Sequence, residues 1–282
     1  RYCMPFSFNC SNCILEELLS QIQFTQNRKT KQTKIKHVYQ SPRRWCYRSY
    51  RKHVVQMMLD AGHKVVAIVR SKESMLQKLN KDKKYDDDQL EIHEASIMEM
   101  KEEDLVEVTK DCNFVVSCLG HNISFKGMYL QDRKLVTDAA KKLTKAMPSS
   151  CKFILMGSDG VAQAGVDPPR SRLEASIIFL LRYLVPPHAD NEAAAAYLLS
   201  DTTSFEWVTV RPTNLVDAEE ANGKYNITEK VEVSLFGDQT VSRNNVAHFM
   251  VELMTKKDTF TKYLHKMPVV VDIPEEKAPS DK

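Results

Sequence analysis

The spacing of apolar residues between positions 52 and 71 predicts a helix, a turn and a buried strand. Residues 54–59 carry valine, methionine and leucine at the spacing of one helical face. Gly62 follows as the residue that ends the helix in a left-handed turn. Residues 64–69 read Lys-Val-Val-Ala-Ile-Val, a run rich in β-branched side chains. Such a run is typical of a parallel strand that is covered on both faces.

Strands and helices of similar length alternate along the rest of the chain, which predicts an α/β fold with a doubly wound, mainly parallel sheet. Residues 65–69, 114–118, 153–156 and 208–210 are expected to be adjacent buried strands. No apolar run is long enough to cross a bilayer, so no membrane association is expected. With 64–69, the full set of predicted strands is 90–93, 114–118, 152–156 and 207–210. The predicted helices after that first unit cover 104–109, 127–146, 172–184 and 190–199.

Arg70 and Ser71 directly follow the strand at 64–69. In a doubly wound dinucleotide-binding sheet, the residue at this place contacts the adenosine ribose. An acidic residue there favours NAD, whereas an Arg accommodates the 2′-phosphate of NADP. Arg70 therefore favours NADP, with an Arg that merely ends the strand as the alternative.

Six short segments, in this order and spacing, resemble the atypical short-chain dehydrogenase/reductases of the NAD(P)H-binding, NmrA-like group, which includes the flavin/biliverdin-IXβ reductase type. The resemblance runs from Val54 to about Val271. It implies a Rossmann-like domain, which we place at residues 52–273 between an atypical segment 1–51 and a disordered tail 274–282. The six segments are Val69-Arg70-Ser71, Val116–Gly120, Met156–Gly160, Pro186–Glu192, Val210-Arg211-Pro212 and Ser242–Met250.

The glycine-rich phosphate turn of such proteins is missing. Of the 8 glycines in the chain the first is Gly62, and positions 44–51 hold bulky and cationic residues instead. Their Cβ atoms prevent the close backbone approach to pyrophosphate that glycine permits. We therefore expect poor cofactor affinity and a sheet without its central strand, unless residues such as Ile35 to Tyr39 substitute for it.

The genetic code suggests how the turn was lost. If the arginine codons end in GG, bases encoding residues 44–51 can be read one base later as Gly-Gly-Ala-Thr-Gly-Arg-Thr-Gly. Glycines then fall at positions 45, 48 and 51, the last of them 19 residues before Arg70, and the motif expects about 20. We interpret the segment through position 51 as out of frame with the ancestral coding sequence. A genuine N-terminus that arose by frameshift is the alternative.

Composition adds few constraints beyond an uneven charge. Hydrophobic residues make up 43% and charged residues 27% of the 282 residues, as in ordinary globular proteins. Residues 28–52 carry ten Lys or Arg and no acid. This run could be a nucleic-acid-binding arm, but it has no recognised binding motif, so no nucleic-acid partner is expected. The chain begins with Arg1 rather than Met, from which we expect a piece of a longer chain.

Seven cysteines fit reduced thiols better than a metal site. Cys10 and Cys13 form one C-x-x-C pair without a correctly spaced second pair, so no metal is predicted. Cys112, Cys118 and Cys151 lie in or beside predicted core strands, which suits a cytoplasmic protein.

The catalytic signal is weaker than the cofactor signal. None of the ten tyrosines has a lysine four residues later, so the Tyr-x-x-x-Lys mechanism of classical relatives is not predicted. Ser158, just past the fifth strand, can hydrogen-bond a substrate carbonyl, although a turn serine is equally compatible. His188 can donate a proton, although a surface histidine that caps a helix is the alternative.

The resemblance implies an NADP(H)-binding protein that transfers hydride from NADPH to a small carbonyl, flavin or tetrapyrrole-like substrate. A non-catalytic NADP-binding sensor or scaffold is the alternative, and the sequence does not indicate an oligomeric state. The expected catalytic residues are Ser158 and His188, and the expected cofactor-binding residues are Arg70, Ser71, Cys118, Leu119, Gly120, Ser158, Pro212 and Thr213.

Overall fold

Eight strands form one sheet in the order β3-β2-β1-β4-β5-β6-β10-β8. The computed structural model describes residues 34–38, 50–77, 79, 85, 88–121, 132–200, 204–218, 221–232 and 237–273. All pairs are parallel except β8 with β10, and β7 and β9 form a separate parallel pair. The strands are β1 (Lys34–Val38), β2 (Lys64–Val69), β3 (Leu90–Glu94), β4 (Phe114–Ser117), β5 (Lys152–Met156), β6 (Trp207–Pro212), β7 (Asn214–Val216), β8 (Tyr225–Thr228), β9 (Thr240–Ser242) and β10 (Val269–Asp272).

Helices cover both faces of the sheet, which confirms the predicted α/β class. The side chains of β2 show why, because they alternate between two buried clusters, with Val65, Ala67 and Val69 on one face and Val66 and Ile68 on the other. One cluster is closed by α1, α7 and α8, and the other by α3, α4 and α6. The helices are α1 (Tyr50–Asp60), α2 (Lys72–Leu76), α3 (Glu102–Thr109), α4 (Leu135–Ala146), α5 (Arg172–Leu184), α6 (Pro186–Leu199), α7 (Arg243–Thr255) and α8 (Lys257–Lys262).

The central strand β1 corrects the expected strand neighbours. We expected 65–69 to lie beside 114–118, but β1 pairs with β2 on one side and with β4 on the other. Without β1, the facing edges of β2 and β4 would leave backbone N–H and C=O groups unpaired, and an extended segment between them supplies the hydrogen bonds. The missing central strand, for which we named residues 35–39 as a possible replacement, is thus formed by Lys34–Val38. β1 lies before residue 52, where we predicted that the domain begins. The predicted boundary at residue 52 falls inside α1.

Two helix boundaries also differ from those predicted. The helix expected at 127–146 begins at Leu135 in the described part of the chain, which resumes at residue 132. The helix expected at 190–199 begins earlier, because Pro186 and Pro187 occupy its first turn instead of separating it from α5. Proline suits the first helical position, where an amide has no intrahelical acceptor.

Several expectations lie outside the described residues. The C-x-x-C pair, most of the basic run at 28–52, the phosphate turn at 44–49 and the tail at 274–282 all belong to this group. Within the described residues, Cys112, Cys118 and Cys151 are buried. None of the described helices combines the length and the apolar character needed to cross a bilayer.

Candidate functional site at the carboxyl edge of the sheet

The strand order places one reversal at the centre of the sheet. The chain passes from β1 outward through β2 to β3, and then returns to β4 on the other side of β1. In open α/β sheets, ligands bind outside the carboxyl ends of the strands at this point. The helix α1, which follows β1, also begins at this edge. The edge is therefore the place to look for a nucleotide site.

The turn after β5 brings Ser158 and His188 together around Gly160. A Cβ atom on Gly160 would lie 3.5 Å from Ser158 Oγ and 3.5 Å from His188 Cε1. The amide of Gly160 donates to Ser158 Oγ over 3.2 Å. The two predicted catalytic residues thus border the same small space, which exists because residue 160 has no side chain.

The same turn carries a carboxylate with altered acidity. Burial raises the pKa of Asp159, and hydrogen bonding from Ser158 and the charge of Arg170 only partly oppose this. Arg170 Nη2 also donates to the carbonyl of Asp159 over 2.9 Å and so anchors the turn. Asp159 is therefore a weaker acid than an exposed aspartate, and its Oδ1 accepts a hydrogen bond from Ser158 Oγ.

Arg70 lines a separate cleft at the end of β2. The cleft has a volume of about 630 Å³ and contains three cations and three acids, and ligand pockets typically measure about 300–1,000 Å³. Burial lowers the pKa of Arg70, while Glu99 and Asp132 raise it, so its charge is partly compensated. The cations suit a phosphate, and the acids suit ribose hydroxyls. The lining residues are Arg70, Ser96, Met98, Glu99, Asp132, Arg133, Lys134 and Asp138.

Four other predicted cofactor residues, Ser71 and 118–120, lie beside this edge. Ser71 caps α2, because its Oγ accepts from the amide of Ser74 over 3.1 Å. Cys118 and Leu119 point their side chains into the two opposite core clusters, so only their backbone groups can contact a ligand. Gly120 follows them and is half-buried.

Pro212 and Thr213 are tied to neighbouring strands. The carbonyl of Pro212 accepts from the amide of Asp159 over 3.3 Å, which joins the end of β6 to the Ser158 turn. Thr213 donates its amide to Val270 over 3.2 Å and its hydroxyl to the same carbonyl over 3.4 Å. The structure thus joins Pro212 to the turn of Ser158, whereas Arg70 belongs to the cleft at the end of β2.

A buried network around Asp190 has no counterpart among the predicted residues. The Asp190 side chain is fully buried and lies 2.7 Å from His121 Nε2. It also accepts from the amides of Val136 and Thr137 and from the hydroxyl of Thr137, at 2.6–3.0 Å. Asp190 of α6 thereby caps the start of α4. Its partners lie more than 50 residues away in the sequence, so local patterns carry no signal for it.

Asp190→Asn is expected to lower the free energy of unfolding by about 1.5–3 kcal/mol, the range for hydrogen bonds to a charged group. Burial raises the pKa of Asp190, but the hydrogen bonds from His121, Thr137 and Val136 lower it below 3.8. The stabilisation is therefore complete above that pH and is lost as the pH falls through the folded-state pKa. Urea unfolding at about pH 7 and about pH 3 should show a smaller difference in the variant than in the wild type. An equal pH dependence would contradict the assignment.

The tyrosine on α6 is engaged away from the candidate site. The hydroxyl of Tyr197 lies 2.7 Å from Thr144 Oγ1 of α4, and Lys141 lies over its ring. It cannot serve as the proton donor of a classical dehydrogenase without breaking this contact. Among the described residues, no group of three or more His, Cys, Asp or Glu side chains is placed to hold a metal ion.

One family profile matches most of the chain. The sequence profile of a family described as NAD(P)H-binding matches residues 52–257. A search of curated proteins found no significant match.

Solved structures share the fold at low sequence identity. A protein from Lactobacillus casei is 16% identical with a TM-score of 0.62, and the match covers 85% of this chain and 100% of that one. A candidate epimerase from Bacteroides thetaiotaomicron is 16% identical with a TM-score of 0.60, over 88% and 100% of the chains. A candidate NADH-flavin reductase from Streptococcus pneumoniae is 16% identical with a TM-score of 0.56, over 84% and 99%.

Proposed function

Because the chain belongs to the NAD(P)H-binding family that its profile defines, we propose that it is an NADPH-dependent reductase of the atypical short-chain dehydrogenase/reductase group. Its substrate would be a small carbonyl, flavin or tetrapyrrole-like compound. The observation that carries the proposal is the convergence of Ser158 and His188 on Gly160, on the sheet edge that also holds the Arg70 cleft.

The residues of this edge fit a dinucleotide at its two ends. Arg70, with Arg133 and Lys134 in the same cleft, would hold the 2′-phosphate. The backbone of Leu119 and Gly120 and the end of β6 at Pro212 and Thr213 would line the path towards the nicotinamide. The bound cofactor supplies the hydride, whereas the protein supplies orientation and a proton.

The proton would come from the residues around Gly160. Ser158 can donate its hydroxyl hydrogen to a substrate carbonyl and hold it in place. His188 can supply the proton that the reduced oxygen takes up. Burial lowers the pKa of His188 below 6.5, and Glu192 opposes this. Turnover is therefore expected to rise as the pH falls towards that pKa.

The decisive experiment measures NADPH oxidation with a panel of quinones, flavins and aldehydes, alongside a titration of cofactor binding. Turnover that falls in Ser158→Ala and in His188→Gln supports a reductase. NADPH binding without turnover on any of these compounds would instead support a non-catalytic sensor, a role that the absence of Tyr-x-x-x-Lys also allows. Absence of cofactor binding would contradict both functions.

Arg70→Ala is expected to reduce the affinity for NADP by about 1.5–3 kcal/mol, the scale of a charge-assisted hydrogen bond, with little change for NAD. The reason is that NAD has no 2′-phosphate for the guanidinium to contact. Calorimetric titration with both cofactors measures the difference. Arg172→Ala, which removes an exposed arginine from α5, serves as the control. An equal loss for NADP and NAD would mean that Arg70 only supports the strand end.

A further inference from the structure

Three contacting side chains, Arg182, Glu192 and His188, lead from α5 to the candidate site. Arg182 of α5 contacts Glu192 of α6 through two hydrogen bonds, with Nε 2.7 Å from Oε2 and Nη2 3.0 Å from Oε1. The same Oε1 atom lies 3.4 Å from His188 Nε2. One carboxylate oxygen is therefore shared between the arginine clamp and the histidine.

The other edge of the His188 ring faces the Ser158 turn. A Cβ atom on Gly160 would lie 3.5 Å from His188 Cε1 and 3.7 Å from His188 Nδ1. The imidazole is thus held between Gly160 on one side and Glu192 on the other. His188 Nε2 is buried and has no hydrogen-bond partner in the described part of the chain. The distance of 3.4 Å to the carboxylate is long for a hydrogen bond, and catalytic contacts of this kind often shorten when a substrate binds.

We infer that Glu192, clamped by Arg182, is a positioning residue that holds the His188 ring against the turn of Ser158 and Gly160. The inference rests on the proposed function in assigning His188 a role in proton transfer, but the geometry stands without it. An acid or base that is oriented by a third group is the general arrangement of such sites. Two parallel hydrogen bonds from a guanidinium fix a carboxylate more tightly than a single bond does.

The arrangement also gives α5 a function beyond packing. The link from Arg182 to Glu192 joins α5 to α6, and α6 carries His188. A movement of α5 would therefore change the position of the Glu192 carboxylate relative to the ring. Lysine cannot replace Arg182 in this role, because a single ammonium group lacks the planar, two-pronged geometry.

The charges that act on His188 come from three places. Glu192 on its own helix favours the protonated ring, whereas Arg182 on α5 and Arg170 before α5 disfavour it. Removal of the Glu192 charge therefore lowers the pKa of His188. An ion pair is worth up to about 1 kcal/mol and each tenfold change is 1.36 kcal/mol, so the expected decrease in this pKa is up to about 0.7.

The test is an NMR titration of the full chain with labelled histidine, in which His188→Gln identifies the resonance. We expect Glu192→Gln to lower the pKa of His188 by up to about 0.7. Glu102→Gln, which removes a carboxylate from the exposed pair with Lys145 on other helices, should leave it unchanged. Arg182→Lys keeps the charge but loses the two-bond clamp, and its His188 titration should move towards that of Glu192→Gln. Thermal unfolding checks that each variant is folded.

Each outcome bears on one claim. If Glu192→Gln shifts His188 no more than Glu102→Gln does, Glu192 does not position the ring and the inference is wrong. If His188 has the same pKa in Arg182→Lys as in the wild type, the Arg182 clamp does not contribute to the positioning of the ring. A shifted His188 without any change in the pH dependence of NADPH oxidation would leave the positioning intact and contradict the proposed proton donor. A parallel shift of both supports the two together.

Discussion

Replacement of Arg211 with Met is expected to lower the free energy of unfolding by about 3–5 kcal/mol, the cost of breaking a buried ion pair by removing one partner. Arg211 at the end of β6 is fully buried. Its Nη1 and Nη2 atoms lie 2.5 and 3.2 Å from the two Asp167 oxygens. It also donates to the carbonyls of Met267, Val161 and Glu229. The guanidinium thus joins β6 to three separate loops.

The loss of Arg211 leaves the Asp167 carboxylate buried without its main partner. Asp167 keeps the amides of Gln163 and Val231, but two neutral donors do not replace a guanidinium. The double variant Arg211→Met with Asp167→Leu should recover part of the stability, because it removes the unpaired charge. Replacing both partners at once separates the value of the pair from the cost of an orphaned carboxylate.

Urea unfolding at neutral pH measures these differences, and Lys145→Met provides the control. Lys145 forms an exposed pair with Glu102, so its loss should cost less than about 1 kcal/mol. A similar small cost for Arg211→Met would contradict a structural role and would leave Arg211 available to a ligand. The sequence placed Arg211 within a motif shared with cofactor-binding relatives, but its hydrogen bonds are all made within the protein.

Periodicity predicted the fold where a strand or helix carries its own signal. The buried runs at β2, β4, β5 and β6 are mostly apolar on both faces, as is typical of central parallel strands. The capping box of Ser171 and Glu174 marks the start of α5, whose predicted bounds agree with the structure. These features are local, so one sequence suffices to find them.

The central strand β1 shows where such signals end. Lys34–Val38 reads Lys-Ile-Lys-His-Val, which has only two aliphatic residues among three cationic or titratable ones. Nothing in that pattern requires a strand between two buried neighbours. The free edges of β2 and β4 supply the reason, and they come from residues far along the chain.

In the candidate site, too, local sequence signals and contacts between distant residues have to be separated. Ser158 was proposed because the ends of parallel strands hold ligands in this class of sheet, and His188 because an imidazole ordinarily titrates near neutral pH. The clamp on Glu192, the cap by Asp190 and the pairing of Arg211 with Asp167 depend on side chains that meet only after folding. No spacing rule links residues that lie 10 to 54 positions apart on different elements.

The strongest gain of function is expected from restoring the phosphate turn. A chain in which residues 44–51 are replaced by Gly-Gly-Ala-Thr-Gly-Arg-Thr-Gly, after a short hydrophobic strand, should bind NADPH about 100-fold more tightly than the present chain. The estimate assumes two backbone amides that each contribute about 1.5 kcal/mol to a charged phosphate. The strand β1 precedes the replaced segment, and the helix α1 begins within it at Tyr50, so the new turn would lead into an existing helix.

Titration of both chains with NADPH, followed by thermal unfolding, tests this expectation. Only the folded state binds, so at a ligand concentration 100 times the dissociation constant the stability should rise by about 2.7 kcal/mol. A matched chain with alanine at positions 45, 48 and 51 keeps the length but restores the Cβ atoms, and it should bind no better than the present chain. Equal affinity in the glycine and present chains would mean that Arg44, Arg48 and Arg51 form a phosphate site of their own. That result would contradict the frame hypothesis, because flexible cationic side chains do not reproduce a preorganised row of amides.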